Sequence, residues 1–133
     1  MLAIDPQNDT WEYVAECDRQ LDDSDQTVWI LKNLDPKEEA NLEDALGQVN
    51  SDGGYKLTIG SQARMALDYG LKEVRNFKDS NGNDVKVERI NKKIGGVYPI
   101  DDKFLSRIPK AIRSELANAI TRGMKLDEEE QKN

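Results

Sequence analysis

The side chains best suited to chemistry in this 133-residue sequence are four oxygen-bearing residues that surround Gly82. They are Asp79, Asn81, Asn83 and Asp84. Carboxylate and amide oxygens are the ligands that Ca²⁺ prefers, so the cluster suggests a calcium loop. An EF-hand loop, however, needs glycine at position 6 and glutamate at position 12. Counted from Asp79, glycine falls at position 4 and Ile90 at position 12, so the sequence does not predict a calcium site.

The same segment has the register of a β-hairpin with a three-residue loop at residues 80–82. In that register Phe77 pairs with Val85, and Arg75 pairs with Val87. Phe77, Val85 and Val87 then share one face of the hairpin. A two-residue loop would place Phe77 on the opposite face from both valines, because side chains alternate strictly along a strand.

The residues of the turn favour the three-residue loop as well. Asp79 takes the first position and Gly82 the fourth position of a type I turn, where aspartate and glycine are preferred. A glycine in the left-handed region closes such a loop. We therefore predict that Asp79, Asn81 and Gly82 form a hairpin turn. We predict no metal site and no bound cofactor.

A basic stretch further along the chain is a candidate binding surface. Lys92 and Lys93 precede Gly95 and Gly96, but the stretch has no G-x-x-x-x-G-K-[ST] motif and no strand–loop–helix order. A basic loop is therefore favoured over a phosphate site. The basic residues lack an interleaved aromatic platform, which disfavours nucleic acid as a partner. The candidate basic interface for a protein partner comprises Lys92, Lys93, Lys103, Arg107 and Lys110.

The composition disfavours an enzyme. The sequence has no histidine, which removes the commonest metal ligand and the usual general base at neutral pH. Cys17 is the only cysteine, so the sequence can form neither an intramolecular disulfide nor a multi-cysteine zinc site. No pair of lysine, aspartate or glutamate side chains stands out as a catalytic set. We predict a protein that is not an enzyme.

Charge is distributed unevenly along the chain, whose net charge is −7. Residues 1–84 hold 8 basic and 18 acidic side chains, whereas residues 85–125 hold 10 basic and 4 acidic ones. Such a distribution arises on any solvated surface, but it also suits copies that attract one another head to tail. The candidate acidic interface comprises Asp22, Asp23, Asp25, Glu128, Glu129 and Glu130.

The first half of the chain predicts two strands and a helix. Apolar and aromatic residues alternate in "DTWEYVAE" and are dense in "QTVWILKNL", so strands are expected on either side of a long acidic connection. Asp35 is a helix N-cap candidate, because Pro36 follows it and Glu38 stands three residues later. That helix should end before "NSDGG".

The segment after this glycine turn is ambiguous at its start. Tyr55, Leu57 and Ile59 alternate as in a short strand, and Ser61 can then cap a helix running to about Val74. Gly70 inside that helix costs about 1 kcal/mol relative to alanine, and close packing against a neighbour would explain it.

The last third predicts two further helices. Asp101 or Asp102 caps a short one at residues 103–108, and Pro109 opens the longest helix of the chain, which should end near Met124. Its apolar residues are spaced by fours: Ile108, Ile112, Leu116 and Ile120. The expected fold is α+β, a small antiparallel sheet or hairpins with three or four helices.

The organisation expected is one domain over residues 1–133, with residues 125–133 as a loose acidic tail. The longest apolar run is Val28–Leu31, far below the ~20 residues of a membrane span. The start "MLAIDPQND" lacks the basic region and apolar core of a signal peptide. We therefore predict no membrane association.

The sequence resembles a group of phage proteins. The segment "GLKEVRNFKDSNGNDV" is similar to the "GL-x-x-W/V-x-N-F-x-D-x-x-G" segment of small uncharacterised proteins in tailed-bacteriophage structural gene clusters. A "TVWxLxxL"-like strand precedes it there, as Thr27–Leu34 does here. An "ELAN-x-I" helix end and a closing "L-x-EEE-x-KN" follow it, as Glu115–Ile120 and Leu126–Asn133 do here. Val74 departs from the pattern, which often has tryptophan at that position.

The resemblance implies a non-enzymatic virion structural or assembly protein, with no catalytic residues to carry over. Its partners would be other phage structural proteins or copies of itself, in the virion and, during assembly, in the host cytoplasm. Tail-region component, capsid accessory protein and assembly chaperone all remain open. The alternative is a small acidic inhibitor that mimics phosphates and binds a host defence or nucleic-acid enzyme. A buried ionisable pair in a cleft would argue instead for an enzyme.

Overall fold

In a computed structural model, the described part of the chain folds as a three-stranded antiparallel sheet with four α-helices. The structure describes the backbone of residues 9–50 and 55–132, and the side chains of residues 9–44 and 62–122. The strands are β1 (Thr10–Tyr13), β2 (Val28–Lys32) and β3 (Leu71–Arg75). The helices are α1 (Pro36–Asn50), α2 (Tyr55–Gly70), α3 (Asp102–Leu105) and α4 (Lys110–Lys132). This confirms the predicted α+β class, with the longest helix nearest the C-terminus.

The central strand of the sheet is β2, which pairs antiparallel with β1 on one side and with β3 on the other. Both strands predicted in the first half of the chain are confirmed. The acidic segment between them forms the expected long hairpin connection, and it contains two short 3-10 turns, Glu16–Asp18 and Asp23–Asp25. The helical pair α1–α2 lies between β2 and β3 in the sequence.

One face of the sheet is apolar and belongs to the core. Tyr13 lies opposite Trp29 on the neighbouring strand, and Trp11 lies opposite Leu31. Val74 of β3 continues the row beyond Trp29. Because cross-strand partners point to the same side of a sheet, these side chains share the inner face, as the alternation of Trp11 and Tyr13 predicted.

Strand β3 was not predicted, and a β-bulge is the reason. Ile30 pairs with Glu73 and Leu31 pairs with Leu71, which leaves Lys72 as one extra residue on β3. The bulge places both Leu71 and Val74 in the core although they are three residues apart. Three-residue spacing is typical of a helix, so the sequence pattern wrongly extended α2 to Val74.

Helix α1 begins with the predicted capping box. The Asp35 carboxylate accepts a hydrogen bond from the Glu38 amide at 2.7 Å, and the Glu38 carboxylate accepts one from the Asp35 amide at 3.0 Å. These reciprocal bonds satisfy amide groups that have no partner inside the helix. Pro36 takes the first helical position, where its missing N–H costs nothing. The helix ends at Asn50, the first residue of the predicted turn.

Helix α2 begins earlier than predicted. It spans Tyr55–Gly70, so the short strand expected at Tyr55, Leu57 and Ile59 is wrong, and Ser61 lies inside the helix rather than at its cap. Three alternating apolar residues cannot distinguish a short strand from the start of a helix, since helical residues two apart can also be apolar.

Gly70, the last residue of α2, is required by its neighbour on α4. A Cβ at this position would lie 2.5–2.8 Å from three side-chain carbons of Ile120, which is fully buried. Any side chain here would force α2 and α4 apart or displace Ile120. The close packing suggested by the sequence is therefore the reason for the glycine.

The two C-terminal helices follow the predicted pattern at their starts. Asp101 caps α3, since its carboxylate accepts a hydrogen bond from the Lys103 amide at 2.9 Å. Helix α4 buries Leu116 and Ile120, and Ile108 just before the helix is buried as well. The four-residue spacing is thus confirmed as a core-facing stripe. The helix continues past Met124 to Lys132, beyond its predicted end.

The core joins the inner face of the sheet to α2, α3 and α4. Its largest fully buried side chains are Phe104, Leu31, Leu67, Leu71, Ile100, Ile108, Leu116 and Ile120. No helix within the described ranges has the length and apolar character needed to cross a lipid bilayer.

Candidate interaction surfaces

The turn around Gly82 is the predicted hairpin turn. The Gly82 amide donates to the Asp79 carbonyl at 3.0 Å, and Gly82 has a positive φ of 81°. The Val85 amide donates to the Phe77 carbonyl at 2.7 Å, which is the register predicted for a three-residue loop. The further Arg75–Val87 pair is not formed: Arg75 belongs to β3 and pairs with Val28, and Asn76, which separates it from Phe77, has a positive φ of 58°.

The carboxylate of Asp79 is engaged by the backbone of its own turn. It accepts hydrogen bonds from the Asn81 amide at 2.9 Å and from the Asn83 amide at 3.0 Å. Asp84, the other carboxylate of the cluster, pairs with Lys78 at 2.5 Å. The side chains that suggested a calcium loop thus stabilise a turn, as expected for aspartate in this position. Among the described residues, no group of three or more histidine, cysteine or acidic side chains is placed to hold a metal ion.

The basic stretch forms a second hairpin, which we call the basic hairpin (residues 88–101). Its tip is a two-residue turn, since the Ile94 and Val97 amides each donate to the other residue's carbonyl. Gly95 and Gly96 between them have φ values of 61° and 83°. Positive φ at both central positions defines the type I′ turn, which glycine adopts without strain.

The base of the basic hairpin is regular, but its two strands do not match in length. The Ile90 amide donates to the Pro99 carbonyl at 2.9 Å, and the Asp101 amide donates to the Glu88 carbonyl at 2.8 Å. Between this base and the tip, residues 91–93 face the single residue Tyr98. The predicted interface residues Lys92 and Lys93 therefore lie on an exposed bulge of the hairpin.

Arg89 fastens the basic hairpin to the rest of the fold. Its guanidinium donates to the carbonyl of Tyr98 at 2.6 Å, to that of Asp68 at 3.0 Å, and to that of Leu71. These carbonyls belong to the hairpin, to α2 and to β3. Burial lowers the pKa of Arg89, and the nearby Asp68 carboxylate opposes that shift.

Two side chains of α2 reinforce the same junction. The Asp68 carboxylate accepts from the Ile100 amide at 2.9 Å, and Arg64 donates to the Ile100 carbonyl at 2.8 Å. Arg64 also lies 2.5 Å from the carboxylate of Asp102 at the start of α3. The base of the hairpin is therefore held by several bonds, while most residues of its tip are exposed.

Exposed apolar side chains are concentrated on the basic hairpin. Among the described side chains, four large hydrophobic residues are exposed, and the basic hairpin carries three of them. These are Ile90 at 36%, Ile94 at 54% and Tyr98 at 47%. The ammonium of Lys93 lies 5.8 Å from the Tyr98 ring centre, in cation–π distance. Exposed apolar side chains beside lysines form a surface suited to a protein partner.

The five residues of the candidate basic interface do not form one patch. Lys103 and Arg107 line a groove of about 420 Å³ between α3 and the first hairpin, together with Asp79, Asp84 and Glu88. Lys93 instead lines a separate cleft beside α1. Lys92 and Lys110 are exposed and line neither of these two cavities.

The cleft beside α1 gathers basic side chains from distant parts of the sequence. Its volume is about 360 Å³, and we call it the cation-lined cleft. Its charged lining comprises Lys32, Lys37, Lys72, Arg89, Lys93, Asp35 and Glu38. Gly95, Gly96, Tyr69 and Tyr98 complete one wall. Local sequence patterns indicated only Lys93 and the two glycines as a candidate site, because the other basic residues are brought here by strand pairing.

Both carboxylates of the cation-lined cleft are committed to helix α1. Lys32, which is only 2% exposed, lies 2.6 Å from Glu38 in a buried ion pair. The same oxygen of Glu38 accepts the Asp35 amide, and Asp35 accepts the Glu38 amide, so both acids belong to the capping box. The pair is the kind of feature that would argue for an enzyme, but its geometry is that of a helix cap fixed to β2.

Lys72 stands in the same cleft without such a partner. No carboxylate within the described residues pairs with its ammonium. Burial lowers the pKa of Lys72, and the positive charges of Lys32 and Arg89 lower it further, against a smaller opposing effect of Glu38. The bulge in β3 thus places a partly desolvated positive charge beside two others.

The acidic connection (residues 14–27) is a second charged excursion from the sheet. Asp22, Asp23 and Asp25 are exposed and have no side-chain partner among the described residues. Asn76 holds the connection by donating to the Ser24 and Gln26 carbonyls, both at 3.0 Å. The other predicted acidic residues, Glu128, Glu129 and Glu130, lie outside the described side chains.

The start of the acidic connection is tied to α4. The Tyr13 hydroxyl donates to the Glu115 carboxylate at 2.5 Å, and the Glu16 amide donates to the same oxygen at 3.0 Å. Burial and then this hydrogen bond raise the pKa of Tyr13 to about 12. Cys17 follows as an exposed thiol, whose pKa is raised by burial and by the neighbouring Asp18. A raised pKa lowers the fraction of the reactive thiolate.

Comparison of the chain with known proteins gives no match. No protein-family model, no curated protein and no solved structure matches the chain.

Proposed function

We propose that the chain is a non-enzymatic structural or assembly protein of a tailed phage, which docks onto other proteins through the tip of its basic hairpin. It would act in the virion and, during assembly, in the host cytoplasm. The resemblance of its sequence to phage structural-cluster proteins supports the setting. The surface of the hairpin supports the mode of action.

The observation that carries the proposal is the concentration of exposed apolar side chains on one projecting element. Ile90, Ile94 and Tyr98 stand on the same hairpin as Lys92 and Lys93. Tyrosine is enriched at the centres of protein interfaces, whereas lone exposed apolar residues are common anywhere. A rigid base beneath an apolar tip also lowers the entropy cost of docking, since little needs to be ordered.

The chemistry of the fold is consistent with a non-catalytic role. The buried Lys32–Glu38 pair has a structural explanation in the cap of α1. The carboxylates around Gly82 are engaged by a turn and by Lys78. Neither group is arranged as a nucleophile with a neighbouring base, which covalent catalysis requires.

Mass spectrometry of purified virions tests the setting, and deletion of the gene tests the requirement. We expect the chain in the particle at a fixed stoichiometry, or, for an assembly factor, a loss of complete particles on deletion. A chain that is absent from virions and whose deletion leaves the particle yield unchanged would refute the proposal.

Matched variants test the docking surface. Ile94→Ser and Tyr98→Ser should reduce incorporation or complete-particle yield by about tenfold or more, as expected for interface anchors. Leu21→Ser is the control, because Leu21 is 46% exposed on the acidic connection and so loses a similar apolar surface elsewhere. An equal effect of all three changes would contradict docking through the hairpin.

The acidic connection favours a second candidate function, the phosphate-mimicking inhibitor. Asp22, Asp23 and Asp25 are exposed within one four-residue stretch, on a segment that contains two 3-10 turns. Such an inhibitor would bind its target less tightly as salt rises, and would lose binding when the three aspartates become asparagines. Binding that is insensitive to both changes would remove this candidate.

A further inference from the structure

We propose that the cation-lined cleft is a binding site for a small oxyanion, either a phosphate or a carboxylate group. The proposal does not depend on docking through the hairpin tip. It starts from Lys72, whose ammonium lies in the cleft without a carboxylate partner among the described residues.

The charge balance of the cleft leaves room for an anion. Five cationic side chains line it, against the two carboxylates of Asp35 and Glu38. Both carboxylates hold the cap of α1, and Glu38 also neutralises Lys32. Arg89 directs its hydrogen bonds to backbone carbonyls, and the carboxylate that acts on its charge, Asp68, does not line the cleft. An anion would relieve the mutual repulsion of these charges.

A buried hydroxyl group supplies an independent indication. Tyr69 is 5% exposed and lines the cleft, and its hydroxyl oxygen accepts a hydrogen bond from the Asn41 amide at 3.1 Å. Within the described residues, no acceptor takes the proton of this hydroxyl. Buried polar groups normally have partners, so an unused donor facing a cleft points to a ligand or to water.

The geometry of the sheet argues that Lys72 is placed for this cleft. Lys72 is the extra residue of the bulge in β3, and it interrupts an otherwise regular ladder with β2. Bulges are over-represented beside functional sites, where they re-aim a side chain. Lys37 and Lys93, which are exposed as Lys72 is, add two further ammonium groups to the lining.

The volume of the cleft limits what it can hold. About 360 Å³ is at the small end of ligand sites. It accommodates one phosphate or carboxylate group with several waters, since each water occupies about 30 Å³.

NMR titration of the intact chain tests the proposal. Sodium phosphate and sodium acetate are titrated separately, with sodium chloride keeping the ionic strength constant. We expect saturable amide shifts at Gly95, Gly96 and Lys72. Saturation by phosphate identifies a phosphate site, and saturation by acetate alone identifies a carboxylate site.

Three variants locate the binding. Lys72→Met should weaken it by about tenfold, because a charge-assisted hydrogen bond is lost. Tyr69→Phe removes the hydroxyl, together with the acceptor of the Asn41 amide, and should weaken binding less. Lys86→Met, which removes an exposed lysine outside the cleft, should leave it unchanged. The proposal is overturned if neither anion gives saturable amide shifts, or if Lys72→Met and Lys86→Met change the affinity equally. Neither result bears on docking through the hairpin tip, which is tested separately.

Discussion

The acidic connection and the basic hairpin both project from the sheet, but they are fastened in different ways. The acidic connection is held from outside, by Asn76 on the chain after β3 and by Glu115 on α4. The basic hairpin is held by Arg89 of its own strand, which reaches three carbonyls at once, and by Arg64 and Asp68 of α2. The acidic connection uses two neutral hydrogen bonds and one to a carboxylate, whereas the basic hairpin uses a charged fork with further charged side chains.

The two regions also differ in what they expose. The acidic connection carries one large exposed apolar residue, Leu21, whereas the basic hairpin carries three. Charge alone steers an encounter, but apolar contact is needed to retain it. The comparison teaches that the region whose base is held by charged side chains, the basic hairpin, is also the region that exposes more large apolar residues. The following experiments test that difference, from the largest expected effect to the smallest.

Replacing Arg89 should have the largest effect on stability. Arg89→Met leaves three carbonyls without their donor, and we expect the free energy of unfolding to fall by about 2–4 kcal/mol. Arg89→Lys keeps the charge but loses the planar fork. It should therefore lower the free energy of unfolding by more than half of the decrease expected for Arg89→Met. Urea unfolding followed by circular dichroism gives both values. A loss below about 0.5 kcal/mol for Arg89→Met would show that the hairpin is fastened no better than an ordinary surface loop.

The corresponding change in the acidic connection should cost less. Asn76 has a φ of 58°, in the left-handed region, and its amide makes two hydrogen bonds. Asn76→Ala loses both bonds and adds strain, and we expect about 1–2 kcal/mol. Asn76→Gly loses the same bonds without the strain, so thermal unfolding of the two variants separates the contributions. Equal losses would mean that the backbone conformation is not strained here.

The tip of the basic hairpin should respond through its turn. Gly96→Ala places a side chain at a φ of 83°, with nothing within 4 Å of the new Cβ, so the cost is conformational and about 1 kcal/mol. Gly96→Asn should cost less, because asparagine tolerates this region. The measurement is the urea midpoint together with the Ile94 and Val97 amide shifts. An unchanged midpoint for Gly96→Ala would show that the turn re-forms in another geometry.

The hydrogen bond between Tyr13 and Glu115 should give the smallest effect, and its pH dependence should appear only at high pH. Because the folded-state pKa of Tyr13 is raised to about 12, its contribution is complete below pH 10 and is lost as the pH rises towards 12. The midpoint temperature of thermal unfolding should therefore fall more steeply between pH 8 and 12 for the parent chain than for Tyr13→Phe. Parallel curves would show that the tie does not depend on the phenol proton.

Much of the fold follows from local sequence signals. The capping box of α1, the turn at Gly82 and the stripe of α4 each involve residues within a few positions of one another, where spacing alone fixes the geometry. The glycine–glycine turn of the basic hairpin carried a signal of the same kind, because apolar Ile94 and Val97 flank it. The unmatched residues 91–93 concealed that hairpin by breaking its alternation.

The cation-lined cleft follows from no local signal. Lys32, Lys72 and Arg89 come together only because β3 pairs with β2 and the basic hairpin folds back onto β3. Pairing between strands that are some forty residues apart is decided by the packing of the whole core rather than by any short pattern. The acid-rich and base-rich halves were evident in the sequence, but their division into separate surfaces was not.

Lys72 has one more consequence. A chain shortened by that single residue would read leucine, glutamate, valine, arginine along its third strand, a strict in–out order opposite the central strand. The sheet would lose an irregularity and none of its buried side chains. Within this fold, then, we expect residue 72 to be dispensable for the pairing of the third strand, and its lysine adds positive charge to the surface beside the first helix.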